Sequence, residues 1–587
     1  MPLDQNDSCE LALLKEQREY SLLLHVDPYN PIRYLQRGLI YQKLGFPDLA
    51  AADAYRALTL FDAVVDPDSS EYPAQKRAGP VALLDSSSTQ PLERSLAALS
   101  TNDDVDGDSD NDDSDEGENS PYEPISDKEY DENIADVYVL LVESLAQCGC
   151  LRDAYDLCVQ GMKLPGEGTN TGARQEELRG LLGRIKATAK TTNPASGFNP
   201  TDLQVQGHAR RSLYPWNTHE PNRNTPEVVQ FLNQRLAQVA PKCEVRAVAL
   251  PSLHESVVDG KLREDIKPEG ENISIQLGLF AKEDIAPGEI LLHESSMLTA
   301  TNRLHDDICD ACNGRLPDLS SPEPPVACED CYDTIFCSQK CHDLAQDLYH
   351  GAVCGQDGLE SIGKDVPDPK DKADYLYLLL LERAIAMAAT QEVHPLELPE
   401  VKYIWGDFSS LDGKAEDLMD ASFTKRPASA TLPFSFQLNI VQPMRILDEM
   451  GIDPFKSLER YDTWVLNTLY AKFRGTASGR LSTWDGGPEV CAVHPLWCLA
   501  NHSCDPNVQW EWGGEVTFTA RGDEKRVKWG PAPGVAKGGI QKGDEILNHY
   551  CDINLPVKER REWAMGALGG ACLCERCVWE AAPVKAS

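Results

Sequence analysis

Cysteine and histidine spacing between positions 309 and 354 constrains this chain more than any other feature. Cys309-x2-Cys312, Cys328-x2-Cys331, Cys337-x3-Cys341 and His350-x3-Cys354 place eight soft ligands within 46 residues, the number that two tetrahedral zinc sites require. Each close pair can grip one face of an ion, while Pro317, Pro322, Pro324 and Pro325 hold the intervening loop away from helix and sheet. His342 is a competing ligand, but it sits beside a cysteine already used. Closed four-ligand sites leave no open coordination position, so the expected role is structural. The opening Met1-Pro2-Leu3-Asp4 lacks the basic start and apolar stretch of a secretory signal. Nineteen cysteines are therefore expected as thiols and metal ligands, not disulfides. The longest apolar run, Tyr375 to Leu381, is too short to span a bilayer. A soluble intracellular protein, nuclear or cytoplasmic and without a membrane partner, is the expectation.

Charge narrows the partners. With 55 Lys and Arg against 94 Asp and Glu, the net charge of -39 disfavours phosphate-backbone binding, which needs basic surfaces, and favours a basic protein partner. Ten of the acidic residues fall in Asp103 to Glu118, which contains no basic residue and cannot bury enough apolar surface to fold alone. A calcium loop using Asn102, Asp104, Asp106 and Asp113 is the competing reading, but it lacks the closing Glu.

On either side of that run the pattern is helical. Residues 31 to 60 read as a hairpin, with Ile32, Leu35, Leu39 and Ile40 on one face, a break at Leu44-Gly45-Phe46, then Ala50, Ala54, Ala57 and Leu58. Tyr34, Gly38, Tyr41, Ala50, Ala54 and Ala57 fall at tetratricopeptide-repeat positions, although Arg37 stands where Leu is usual. Tyr138, Leu141, Leu145, Gly149, Ala154 and Cys158 repeat the spacing more weakly, and Gln175 to Lys186 is a candidate capping helix. The bland alternative is a pair of unrelated amphipathic hairpins. Thr191 to Thr201, rich in Pro, Gly, Asn and Thr, reads as a linker.

In the second half, Ile273, Ile275, Leu277 and Leu279 alternate, and a Pro287-Gly288 turn leads into Glu289 to Leu292, which reads as a strand pair. Far downstream come Asn501-His502-Ser503-Cys504-Asp505-Pro506-Asn507, then Gly543-Asp544-Glu545-Ile546 before Tyr550, then Cys572-x-Cys574-x2-Cys577. Together with Gly278-Leu279-Phe280 these motifs resemble the SET-domain lysine methyltransferases over about residues 271 to 579. The eight-ligand segment resembles a MYND zinc finger, and a finger inserted there is the arrangement of the SET-and-MYND methyltransferases.

That resemblance implies an α+β multidomain chain. Helical repeats fill 1–187, with an acidic disordered stretch at about 66–125, and a linker and pre-SET region fills 188–270. The SET domain is split into 271–308 and 490–552 by the finger at 309–354 and a helical insert at 355–489, and a post-SET motif closes at 553–579. It assigns Cys309, Cys312, Cys337 and Cys341 to one zinc ion, Cys328, Cys331, His350 and Cys354 to a second, and Cys504, Cys572, Cys574 and Cys577 to a third. The other eight cysteines, at 9, 148, 150, 158, 243, 491, 498 and 551, are then packed or free thiols. The implied activity is transfer of a methyl group from S-adenosylmethionine to lysine in a basic protein segment. Tyr550 is implied as catalytic, and Gly278, Leu279, Asn501 and His502 as cofactor-binding. Protein partners are implied at the repeats and the finger.

Several positions depart from the family pattern. Gln276 stands where the family has the first glycine of Gly-x-Gly, and Gly569-Gly570 replaces an aromatic near the adenine, for which Trp563 or Trp579 could substitute. Arg521 to Gly539 is an insertion. The chain ends ten residues after Cys577 without the C-terminal helical repeats of the animal relatives, whose place the N-terminal repeats are expected to take. The alternative function is a catalytically inactive scaffold, possessing the same fold and discriminated by cofactor binding.

Overall fold

A computed structural model describes residues 5–78, 121–165, 171–192, 198–210, 212–251, 257–258, 261–262, 273–303, 307–331, 334–364, 371–406, 408, 431–482, 486–512, 515–530, 538–568 and 570–582. The acidic run 103–118, with its alternative calcium loop, lies outside the described residues, as do 531–537 of the insertion and Gly569. The chain divides into two compact units, residues 1–207 with 415–424 and residues 208–414 with 425–587.

The first unit is helical: α1 Gln5–Val26, α2 Pro31–Lys43, α3 Pro47–Val65, α4 Asp127–Cys148, α5 Leu151–Gly161 and α6 Thr171–Thr192. Local chemistry sets the ends. Asn30 accepts from the N–H groups of Ile32 and Arg33 at 3.1 and 3.3 Å and starts α2. Gly45 and Gly149 adopt φ of 78° and 89° at the two hairpin breaks, where an L side chain would be strained. Ser126 and Glu129 close a capping box on α4.

The buried face of α2 is rotated from the expected one. Tyr34, Leu35, Arg37, Gly38, Ile40 and Tyr41 are buried, whereas Leu39 is 38% exposed. Arg37 explains the rotation: it is fully buried and holds Asp53 of α3 through two hydrogen bonds of 2.7 and 2.8 Å, the fork geometry that makes a buried cation tolerable. A Cβ added at Gly38 would meet Leu140 of α4 at 2.9 Å, so this glycine sets how closely the two hairpins pack. Leu178, Leu181 and Ile185 of α6 are buried in the same unit.

The second unit mixes short sheets with helices. Strand β1 Cys243–Pro251 pairs antiparallel with β2 Ile273–Ala281, Arg246 opposite Gly278, and helix α7 Pro226–Val239 precedes them. Strand β3 Ile290–Ser295 is an edge of a second sheet, beside β8 Glu515–Ala520 and then β7 Val508–Trp512. A third sheet orders β4 Thr299–Thr301, β6 Pro488–Ala492 and β5 Ser478–Leu481. One expectation is corrected here. The strands at 273–281 and 290–295 do not pair with each other, because each finds a partner remote in sequence. The stretch 188–270, expected as linker and pre-SET region, contains α7 and β1. Ile275 is 57% exposed, while Leu277 and Leu279 are buried, so only the end of β2 nearest the downstream motifs faces the core.

Between β4 and β6 in sequence come the cysteine-rich finger, with helix α8 Gln339–Leu348, and a helical insert of α9 Lys372–Thr390, α10 Gln442–Glu449 and α11 Thr463–Thr476. Leu380, Ile385, Ile446, Val465, Leu469 and Phe473 of these helices share one apolar core. Arg383 of α9 lies 3.6 Å from the Tyr349 ring centre, and the Tyr349 hydroxyl donates to Asp310 at 2.6 Å, which fastens the finger to the insert. Helices α12 Val557–Leu568 and α13 Glu575–Ala581 close the described chain. No helix among the described residues is long and apolar enough to cross a membrane.

Candidate active site and metal centres

Twelve sequence-selected ligands converge in three clusters. Cys309, Cys312, Cys337 and Cys341 bring their sulfurs within 4.8 Å of one another, as do the ligand atoms of Cys328, Cys331, His350 and Cys354, and those of Cys504, Cys572, Cys574 and Cys577. A tetrahedral ion with metal–sulfur bonds of about 2.3 Å spaces its sulfurs about 3.8 Å apart. Individual separations match: 3.8 Å for Cys312 to Cys337, 3.8 Å for Cys328 to Cys354, 3.7 Å from Cys331 to His350 Nε2, and 3.4 and 4.0 Å from Cys504 to Cys577 and Cys572. The donor sets fit zinc. His342 stays outside them, its Nδ1 2.9 Å from Asp343.

The third cluster carries its own charge compensation. Arg560 approaches the Cys577 sulfur at 3.5 Å and pairs with Glu580 at 2.6 Å. Arg576 donates at 2.8 Å to the carbonyls of both Cys504 and Ile553, and Arg561 donates at 3.0 Å to that of Cys572. Hydrogen bonds around thiolate ligands fix their orientation and offset their charge. Arg576 could have been suspected from its place inside the cysteine tail, but nothing local in sequence says that it reaches back to residue 504.

Cys551 was grouped with the packed or free thiols. It is buried, and it lies close to His502 and Cys504. His502 does not complete a fourth ion site there. The Tyr550 N–H donates to His502 Nδ1 at 3.0 Å, so in the neutral ring the proton sits on Nε2, which faces the Cys504 sulfur at 3.4 Å. Burial pulls His502 down to about 4, which keeps that ring neutral near pH 7. Its Nε2–H is thus a donor to the sulfur, orienting a ligand without being one.

Around this histidine two segments remote in sequence are laced side by side. Asn548 N–H donates to the Asn501 carbonyl and Ser503 N–H to the Asn548 carbonyl, both at 2.8 Å. Asn507 accepts from Leu547 N–H and donates to the Glu545 carbonyl, again at 2.8 Å. The end of β2 runs against the same segment, since Ile546 N–H donates to Leu279 at 2.7 Å and Gly543 N–H to Ala281 at 2.8 Å. The Asn501 amide donates to the Leu277 carbonyl at 3.1 Å and to Glu545 at 2.7 Å. A Cβ at Gly278 would meet Glu545 Oε1 at 2.8 Å and Asn501 Nδ2 at 3.1 Å, so glycine lets the strand approach. Gly278, Leu279, Asn501 and His502 are therefore neighbours, whereas Gln276 lies farther up β2, opposite Val248.

Tyr550 projects beside this junction, its ring 5.2 Å from that of His502 and its hydroxyl donating to the Ala500 carbonyl at 2.9 Å. Burial, with Cys498 and Glu545 nearby, pushes its pKa well above the ordinary 10, so it is a neutral phenol. Glu294 on β3 is a contributor the sequence reading did not select. Its two carboxyl oxygens accept from Leu496 N–H at 3.0 Å and Trp497 N–H at 2.7 Å, holding the turn that leads into Ala500 and Asn501. Its signal was a charge two residues after Leu292, on the same inward phase of the strand. Where an aromatic was expected near residue 570, Trp579 is 47% exposed and lies 6.3 Å from Trp529 of the insertion, while Trp563 is 53% exposed. Trp529 in turn donates to Asp505 at 3.0 Å.

The SET domain family matches residues 276–551. Among solved structures, the SET domain of LSMT bound to lysine and AdoHcy aligns at 14% identity with a TM-score of 0.23, over 58% of this chain and 56% of that one. No curated protein matches the chain in sequence.

Proposed function

From a chain that carries a SET domain beside an N-terminal helical region, we propose a protein lysine N-methyltransferase that uses S-adenosylmethionine. The observation that carries the reading is the junction of Gly278, Asn501, His502 and Tyr550, four residues from three separate stretches of sequence, built around a neutral phenol. The finger is read as MYND-type, the hairpins as tetratricopeptide-like and the cysteine tail as post-SET, with one structural zinc ion in each of the three clusters.

The chain's own residues fit the cofactor in two ways. Gly278 presents backbone without a side chain, and an added Cβ would collide with Glu545 and Asn501. The lacing uses the Asn501 carbonyl and the Ser503 N–H, so the main-chain N–H and C=O of His502 are the groups that would hold the cofactor's base. When bound, the cofactor supplies an electrophilic sulfonium methyl. Tyr550, fixed by its bond to Ala500, offers phenol lone pairs toward the reacting amine and orients it. Being neutral, with a raised pKa, Tyr550 is no general base, and the lysine must shed its proton to solvent before transfer. Such preorganised groups act by geometry and by exclusion of water. The net charge of -39 suits a basic, lysine-containing protein segment as substrate.

Calorimetric titration of the full chain with S-adenosylmethionine tests the reading. Saturable binding at one site per chain is expected. Absence of binding to zinc-replete, folded protein would remove the enzyme reading and leave the scaffold.

A further inference from the structure

One cation near the proposed active site has no assigned task. Arg223 lies just before α7, in a segment pinned against the start of β2 by Asn224, which donates to the Ile275 carbonyl at 3.2 Å. Thr225 then caps α7, accepting from Val228 N–H at 3.4 Å. The Arg223 guanidinium stands 5.5 Å from the ring centre of Trp405, and its Nε is buried without a hydrogen-bond partner. Glu220, the acid nearest in sequence, is held by Lys472 at 2.8 Å and acts on Arg223 only through space, and among the described residues no carboxylate forms a direct ion pair with Arg223. The side chain keeps some solvent contact, yet its surroundings are dense enough that burial lowers its pKa to about 10. Arg223 and Tyr550 lie within electrostatic reach of each other, with Cys498 in reach of both.

A recessed guanidinium with an unsatisfied N–H, whose nearest carboxylate is shared with Lys472, is costly unless a ligand supplies a second anion. A carboxylate is the best match to its planar fork. In the proposed reaction the sulfonium methyl must reach Tyr550, and the cofactor's α-carboxylate is only a few bonds from that sulfur. We infer that Arg223 is the receptor for the carboxylate of the cofactor's amino-acid end, an inference that rests on the methyltransferase reading. Trp405 then serves as the flat wall that fixes the guanidinium plane. The assignment adds a binding residue outside the matched residues 276–551.

The test compares two ligands in full-length protein by calorimetry. S-adenosylhomocysteine carries the amino-acid end, whereas 5′-methylthioadenosine keeps the adenosine and thioether and lacks it. Arg223→Met should weaken S-adenosylhomocysteine by about 10-fold to 100-fold, the usual weight of a charge-assisted hydrogen-bonded contact, and leave 5′-methylthioadenosine unchanged. Arg223→Lys should restore part of the loss. Equal weakening of both ligands, or no change in either, would overturn the assignment. Unchanged 5′-methylthioadenosine binding also shows that the variant is folded. If the wild type binds neither ligand, the methyltransferase reading itself has failed, a result distinct from failure of Arg223 alone.

Discussion

At Gly278 a single methyl group would fill the gap that lets β2 reach Glu545 and Asn501. Gly278→Ala should therefore cost about 1–3 kcal/mol, as overpacking does, and weaken cofactor binding through displacement of the Asn501 amide. Denaturant unfolding and calorimetry together check it, and an unaltered variant would mean that the strand gives way freely. His494 makes a prediction about pH. It is fully buried, neither ring nitrogen has a hydrogen-bond partner, and burial lowers it to about 3. Below about pH 6.5 the unfolded chain takes up a proton that the folded one refuses. Stability contributed by the neutral ring is thus present above the unfolded pKa and is lost as pH falls toward the folded one. The slope is about 1.4 kcal/mol per pH unit. Replacing the ring by His494→Phe should flatten the acid branch by about 2 kcal/mol between pH 6.5 and 5, read from urea melts at both pH values. Equal slopes in the two proteins would show that the histidine is not held neutral. Residue identity carried much of the site into the sequence reading, because the Asn501 to Asn507 run, Tyr550 and the cysteine pairs are local patterns. The roles of Glu294, Arg576 and Arg223 were not legible, since each acts on groups far away in sequence, even where position alone drew notice to Glu294 and Arg576.

Among elements, the third cluster joins the Asn501 to Asn507 loop to the tail that carries α13. Elemental analysis of purified protein should give three zinc ions per chain. Cys574→Ser should lower the count to two and loosen the tail, while Cys551→Ser should leave it at three, because His502 presents a donor hydrogen and not a lone pair to that group. A count that falls with Cys551→Ser would make that cysteine a ligand. The same scale shows where pattern reading fell short. Alternation identified β2 and β3 as strands, but period-two spacing says nothing about pairing, and the true partners are β1, about 30 residues before β2, and β8, over 200 residues after β3. The buried stripe of α2 was misplaced by counting apolar residues, since Arg37 with Asp53 outranks Leu39 for the interior. Helix α1 gave no clean apolar stripe and was not selected at all.

Over the whole molecule, the net charge of -39 should act at encounter with a basic substrate. Surface fields of this kind are screened within about 8 Å at physiological salt. Deleting residues 103–118 should lower kcat/KM for a basic protein at low salt, flatten its salt dependence and leave saturating turnover intact. Identical salt slopes would make that stretch a connector only. The central claim concerns the phenol at the junction of the laced segments. Tyr550→Phe keeps the ring and deletes one hydroxyl, so the most direct measurement is labelled-methyl transfer from S-adenosylmethionine to a panel of lysine-rich proteins by wild type and variant, with cofactor affinity determined in parallel. The account predicts unchanged affinity and transfer slowed by about 2–4 kcal/mol of barrier, the usual weight of a preorganised polar group. Equal transfer rates in the two proteins would contradict it.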